Sequence, residues 1–345
     1  MAPSVAVFGA GSVGCFIGGA WLAAGCKVSF VGRERVRAEV AEHGIGLSDY
    51  EGWRIELAPD LIDFSTNPAA VRKADIIALC VKSTGTAAAA KEIGKHARRG
   101  ATLISFQNGV SNAASLKTML PKLDVVQGMV PYNVVRLAPG RWHRASWGDL
   151  MAEPIDATRA LAAQIGDRPG RLRLSEDMRG VAWGKLLLNL NNAINALSGK
   201  TILEELGQRD YRRVLAAAIV ETLELLDEVG IEPAKIGQVP PRLLPHAIGS
   251  PDFVFRNLFL KVQKIDPKAR SSMADDFAAG RPTEVDYLNG EVVKLAHKLG
   301  KEAPVNKAIM DLVKGAELGI ERMWSAQELR AHVLQGHRGA KGFGY

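Results

Sequence analysis

The chain has 345 residues, with 44 Lys+Arg against 37 Asp+Glu, a formal charge of +7 and 23% charged residues. That length suggests two domains, no run of about 18 uninterrupted apolar residues marks a transmembrane helix, and Met1 to Val7 lacks the basic region and cleavage site of a secretory leader. Three cysteines (Cys15, Cys26, Cys80) without metal-ligand spacing exclude a disulfide scaffold and a zinc module and point to the reducing cytoplasm, while a mild positive excess suits anionic metabolites rather than nucleic acid or a membrane.

Short apolar or β-branched runs at 5–8, 28–31, 76–81, 102–106 and 125–130 alternate with Ala/Leu-rich segments at 16–24, 87–95 and 113–120. This alternation predicts an α/β domain, a doubly wound parallel sheet spanning residues 1–172. Residues 133–137, the turn at 138–140 and residues 141–144 read as a hairpin. From about residue 176 the strand signals fade. Segments 179–197, 210–229, 251–262, 284–299 and 304–323 space apolar residues by three and four, predicting an all-helical domain over 173–330. From Arg330 onward Arg330, Arg338 and Lys341 occur without an acid, and 331–345 is expected to be a basic flexible tail.

Gly9-Ala10-Gly11-Ser12-Val13-Gly14 lies between the first strand and the first helix, the context a dinucleotide fingerprint needs. Gly9 permits the tight turn, Gly11 lets backbone approach a pyrophosphate, and Gly14 lets helix and strand pack closely. The anion then sits on the helix N-terminus, which predicts a Rossmann-type cofactor loop. Arg33 is the first charged residue after the second strand and suits a 2′-phosphate, so NADPH is expected; a solvated basic turn with Arg35 is the alternative. Lys82 and Asn108 follow the strands at 76–81 and 102–106, at the carboxyl edge of the sheet. A solvated lysine and an ordinary Asn-Gly turn are their plainer readings.

Residues 183–195 set Lys185, Asn189, Asn191, Asn192 and Asn195 in an otherwise apolar helical run. Asparagine is a poor helix-interior residue, so its repetition calls for a reason. At about 100° per residue, Asn189 lies about 40° from Lys185 one way and Asn192 about 20° the other, so the three share a face. A lysine on an apolar helix is partly desolvated, which lowers its pKa and suits proton transfer, while neutral amides fix substrate oxygens. The alternative is asparagines bonding backbone at a domain junction. A second cluster spans 270–277 and 282–290, where Ser271, Ser272 and Thr283 read either as helix caps or as site residues.

In order, the early GxGxxG, Arg33, Val81-Lys82, Gln107-Asn108-Gly109, Lys185 with Asn189, and Ser271-Ser272-Met273 ahead of Thr283-Glu284-Val285-Asp286 resemble the ketopantoate reductase family, over residues 5 to about 323. The resemblance implies NADPH-dependent reduction of 2-dehydropantoate to (R)-pantoate, a step toward pantothenate, or of a related small 2-oxo acid. By carry-over, Arg33 and Lys82 lie near the 2′-phosphate and Asn108 near ribose and substrate. Lys185 is the general acid, Asn189 and Ser272 hold the substrate, and Glu284 acts across the cleft near ribose or Lys185. No metal is implied, and a homodimer through the helical domain is expected. Two positions depart from the pattern: Ala193-Ile194 stand in place of Asn-Pro, and Ala269 in place of Asn, with Asn192 or Asn195 as stand-ins. The competing readings are a β-hydroxyacid dehydrogenase and a non-catalytic NADPH-binding sensor.

Overall fold

In the computed structural model, which describes residues 3–260, 269–320 and 323–335, the run Ser4–Phe8 forms β1 and is buried on both faces. Val5 and Val7 belong to one core, with Phe16, Ile17 and Trp21 of the first helix. Ala6 and Phe8 belong to another, with Ile93 and Leu116. A strand whose alternate side chains feed two cores must have helices on both sides, the physical meaning of a doubly wound sheet.

The elements following β1 are α1 (Ser12–Ala23), β2 (Lys27–Val31), α2 (Glu34–His43), β3 (Ile45–Asp49), β4 (Arg54–Leu57), β5 (Asp63–Ser65), β6 (Ile76–Leu79) and α3 (Thr86–His96). Then come β7 (Thr102–Ser105), α4 (Asn112–Met119), β8 (Asp124–Met129), β9 (Val134–Ala138), β10 (Arg141–Arg144), β11 (Leu150–Ala152), α5 (Asp156–Ile165) and β12 (Leu172–Leu174). The main sheet has eight strands in the order β12-β11-β8-β7-β6-β1-β2-β5. It is parallel except where β11 runs against β8. β1 lies between β2 and β6, so the chain reverses its direction of travel across the sheet there, the switch point at which ligands bind such sheets.

A second sheet of four strands, β4-β3-β10-β9, is not foreseen in the sequence reading beyond its hairpin, β9 with β10. It holds a buried ion pair, Arg144 Nη2 to Asp49 Oδ2 at 2.8 Å, with the guanidinium also over the Tyr50 and Tyr132 rings.

The chain divides into two compact units, Met1–Met178 and Arg179–Tyr345. The division falls later than residue 172 because β12 still pairs with β11 through Leu174. The described part of the second unit is built of helices: α6 (Met178–Asn189, whose first residue closes the first unit), α7 (Asn191–Ser198), α8 (Ile202–Leu206), α9 (Arg209–Glu228), α10 (Leu244–Gly249), α11 (Ser272–Ala278), α12 (Asn289–Lys298), α13 (Pro304–Glu317) and α14 (Ala326–Leu334).

Three helical expectations are corrected. The run 179–197 is two helices, α6 and α7, divided by a turn at Leu190; on α7, Asn191 and Asn195 direct their amides to one buried acid, Glu205. The run 284–299 is a single 3-10 turn, Val285–Tyr287, and then α12, whose first residue Asn289 is anchored by donating to Asn306 Oδ1 at 2.9 Å. The expected tail begins inside a helix. Ser325 and Glu328 form a capping box at the start of α14, and Arg330 pairs with Asp210 at 2.9 Å. The rest of the expected tail, 336–345, lies outside the described residues, as do the last two residues of the predicted helix 251–262, whose described part is one short helical turn, Asp252–Val254, continued by a π-helical turn, Phe255–Leu260.

Candidate active site

The first unit gathers the predicted cofactor residues at the carboxyl edge of β1, β2, β6 and β7. The N–H groups of Gly9 and Ala10 both donate to Val31 O at 2.9 Å, which fixes the glycine loop to the end of β2. Gly9 has φ +101°, and a Cβ there would lie 2.7 Å from the Val81 backbone N. A Cβ on Gly14 would lie 2.4 Å from Gly9 O, whereas one on Gly11 would meet nothing within 4 Å. Two of the glycines are thus required by the turn and the packing, and the third leaves open space before the helix. Gly11 is the N-cap of α1 and the first intrahelical bond is Cys15 N–H to Gly11 O, so the Ser12, Val13 and Gly14 amides have no acceptor within the helix. That is the donor set a pyrophosphate takes.

Arg33 is exposed and is the N-cap of α2. Its neighbours are engaged, Glu34 with Arg37 at 2.6 Å and Arg35 with Glu39 at 3.7 Å, while Arg33 itself makes no ion pair with a described residue. Lys82 is exposed, at the N-cap of a short 3-10 turn, Ser83–Gly85. Asn108 is half-buried, and its carbonyl accepts from Ser83 Oγ at 2.9 Å and Asn112 Nδ2 at 2.6 Å.

The sequence reading missed the polar network behind these two loops. Gln107 Nε2 donates to Val81 O at 3.2 Å and to Thr86 Oγ1 at 2.8 Å, and Ser105 Oγ donates to Gln107 Oε1 at 3.0 Å. Asn112 Nδ2 also donates to Ser83 Oγ at 3.0 Å. These buried groups hold Lys82 and Asn108 side by side after their separate strands. Only their position one or a few residues from a strand end marks them in the sequence.

In the second unit Lys185 and Asn189 lie one turn apart on α6. Lys185 is half-buried between buried Gly184 and Leu186, and burial pulls its amine down to about 8. Asn189 is buried. Gly184 is where the chain at Ala234 crosses the helix: a Cβ would lie 2.1 Å from Ala234 O, and Ala234 N–H donates to Gly180 O at 2.9 Å. Asn192 lies just beyond the turn at Leu190, as the second residue of α7; Leu190 itself has right-handed helical dihedrals and its N–H donates to Leu186 O at 3.0 Å. Ala193 and Ile194 are fully buried.

The structure separates the two serines. Ser271 is the buried N-cap of α11, accepting from Ala274 N–H at 3.1 Å and donating to Asn192 O at 3.1 Å. Ser272 is exposed at the first position of that helix. Thr283 is buried; its hydroxyl accepts from Val285 N–H at 3.3 Å and its own N–H donates to Glu317 Oε1 at 2.7 Å. Glu284 is buried at the N-cap of the following 3-10 turn. Asn192 and the Ser271-Ser272 pair are therefore brought together by a hydrogen bond, and Asn191 and Asn195 are drawn to Glu205 instead. Among the described residues no cluster of three or more His, Cys, Asp or Glu could hold a metal ion, and no helix is long and apolar enough to cross a membrane.

Comparison with known proteins gives a consistent result. The family model described as Ketopantoate reductase PanE/ApbA matches residues 5–156, and that described as Ketopantoate reductase PanE/ApbA C terminal matches residues 177–317. The chain is 27% identical to a 2-dehydropantoate 2-reductase of Halobacterium salinarum over 320 residues, 91% of this chain and 98% of that one. It is 32% identical to a 2-dehydropantoate 2-reductase of Pyrobaculum aerophilum over 213 residues, 61% of this chain and 68% of the other. The crystal structure of a PanE/ApbA family ketopantoate reductase from Ralstonia eutropha superposes with a TM-score of 0.78 at 28% identity, covering 92% of this chain and 99% of that one.

Proposed function

Because the chain belongs to the ketopantoate reductase family and is thus a pyridine-nucleotide-dependent oxidoreductase, we propose that it reduces a small 2-oxo acid, with 2-dehydropantoate the first candidate, using NADPH and Lys185 as general acid. The observation that carries this reading is Lys185 itself. Its amine is pulled to about 8 by burial, one turn from a buried asparagine, in the unit that the C-terminal family model matches.

When bound, the nicotinamide supplies a hydride. The chain's own residues supply the rest. The amides of Ser12, Val13 and Gly14 would hold the pyrophosphate, and exposed Arg33, which pairs with no described acid, would meet a 2′-phosphate with Lys82 beside it. Asn108 would face ribose and substrate. Lys185 as ammonium donates a hydrogen bond to the C2 carbonyl oxygen of the acid, stabilises the negative charge that develops there and delivers its proton. Asn189 and Asn192 orient substrate oxygens as neutral amides, Ser272 at the start of α11 donates to the carboxylate, and Glu284 completes the catalytic group near Lys185 or ribose.

The test is oxidation of NADPH with 2-dehydropantoate beside a panel of other 2-oxo acids. Selective turnover of 2-dehydropantoate is expected. Turnover of another acid would move the substrate while keeping the chemistry, and silence across the panel would overturn the reading.

A further inference from the structure

Glu205 is fully buried on α8 and no step above uses it. Its Oε2 accepts from Asn195 Nδ2 at 3.0 Å and Asn191 Nδ2 at 3.2 Å, while Oε1 is buried with no hydrogen-bond partner among the described residues. Both donors are neutral amides, and burial raises its pKa to about 8, so the acid is held largely neutral near pH 7.

What Glu205 grips is itself connected. Asn195 donates to Lys200 O at 3.1 Å and its Oδ1 accepts from Ser271 N–H at 2.9 Å. Ser271 Oγ then reaches back to Asn192 O and caps α11. The first residue of α8, Ile202, donates its N–H to Ala269 O at 2.9 Å, so α8 is tied to the same segment twice. Asn191 and Asn195 are one helical turn apart, and a single carboxyl binding both fixes the rotation of α7 immediately after the turn at Leu190.

We propose that Glu205 is a positioning residue for 2-oxo acid binding: through Asn195 it fixes the Ser271 backbone, and with it Ser272 and the start of α11, against Asn192. This rests on the proposed function, since it assigns Asn192 and Ser272 to the substrate. The asparagines that the sequence shows in excess then divide into two sets. Asn189 and Asn192 serve the substrate, and Asn191 and Asn195 serve the acid that orients them.

The test uses Glu205→Ala, Glu205→Gln and Asn195→Ala, read by steady-state kinetics and by amide hydrogen exchange of the peptide holding Ser271 to Ala278. Glu205→Ala is expected to raise KM for the 2-oxo acid by about tenfold, with kcat and the Kd of NADPH changed much less, and to speed exchange in that peptide. Glu205→Gln keeps the acceptor oxygen and a neutral group, and is expected to restore both readouts. Asn195→Ala repeats the effect, and combining it with Glu205→Ala adds little, as links of one chain should. If Glu205→Ala does not fold, Asn195→Ala with Glu205→Gln carries the same comparison. Unchanged exchange at Ser271 to Ala278, or faster exchange with KM unmoved, overturns the proposal. A wild-type protein that turns over no 2-oxo acid defeats the proposed function instead, and the exchange readout still decides whether Glu205 positions α11.

Discussion

Lys185 carries opposed demands, because the burial that tunes its amine also opposes its charge. With a pKa of about 8 against an ordinary 10.5, the folded protein binds this proton less tightly than the unfolded chain. The penalty is present below about pH 8 and is relieved as pH rises toward the ordinary value. Lys185→Met is therefore expected to stabilise the protein at pH 7 by on the order of 1–3 kcal/mol, seen as a higher Tm. Lys185→Ala should lower kcat by about 100-fold or more while leaving NADPH affinity unchanged, as measured by cofactor fluorescence titration. In the wild type kcat/KM should fall as pH rises through about 8, since the proposed general acid is the ammonium form of Lys185. Arg33→Ala should lower the preference for NADPH over NADH by about tenfold, and an unchanged ratio would remove its phosphate role. The sequence made these residues legible because each stands at a position that physics marks: a glycine loop, a strand end, a charge in an apolar run. Glu205 carried no such mark. It follows Glu204, whose side chain closes a capping box with Thr201, and nothing local tells which of two adjacent acids turns inward.

The same contrast holds for elements. β1, β6 and β7 are buried on both faces and read as continuous apolar runs. β4 and β5, by contrast, are short, half-polar edge strands whose existence depends on partners elsewhere in the chain. The stop at Leu190 was equally hidden, since apolar spacing continues across it. At the level of the element, the seat of α6 is set by Gly184. Its Cβ position falls 2.1 Å from Ala234 O, a backbone atom that cannot swing away. Gly184→Ala should lower stability by about 1–3 kcal/mol and reduce kcat along with it, checked by thermal melting beside the reductase assay. Gly230, by comparison, has open space at its Cβ position, and its φ of +62° alone sets the cost of replacing it.

For the whole molecule, the formal charge of +7 is shared between the units, with a positive excess in each of residues 1–178 and 179–345. A diffuse field of that sign acts on the encounter with an anionic dinucleotide more than on its chemistry. Raising ionic strength from about 20 to about 200 mM should therefore raise KM for NADPH by roughly threefold with kcat nearly flat, and a salt-independent KM would count against a role for the overall field. The plan of a two-cored parallel sheet followed by helices was readable because burial on both faces of a strand and on one face of a helix leaves different periods in the chain. The four-stranded second sheet was not, because its central pair, β3 and β10, joins distant parts of the sequence, with Gly46 opposite Arg141.

The double duty of Ser271 bears on what the protein can become. Its hydroxyl caps α11 and binds Asn192 O, so positions 192 and 272 lie on segments joined by one hydrogen bond, while Lys185 stays on α6. On the proposed reading, substitutions at 192, 193, 269 and 272 change which acid is accepted without touching the lysine, which makes them the place to begin a search for new substrates.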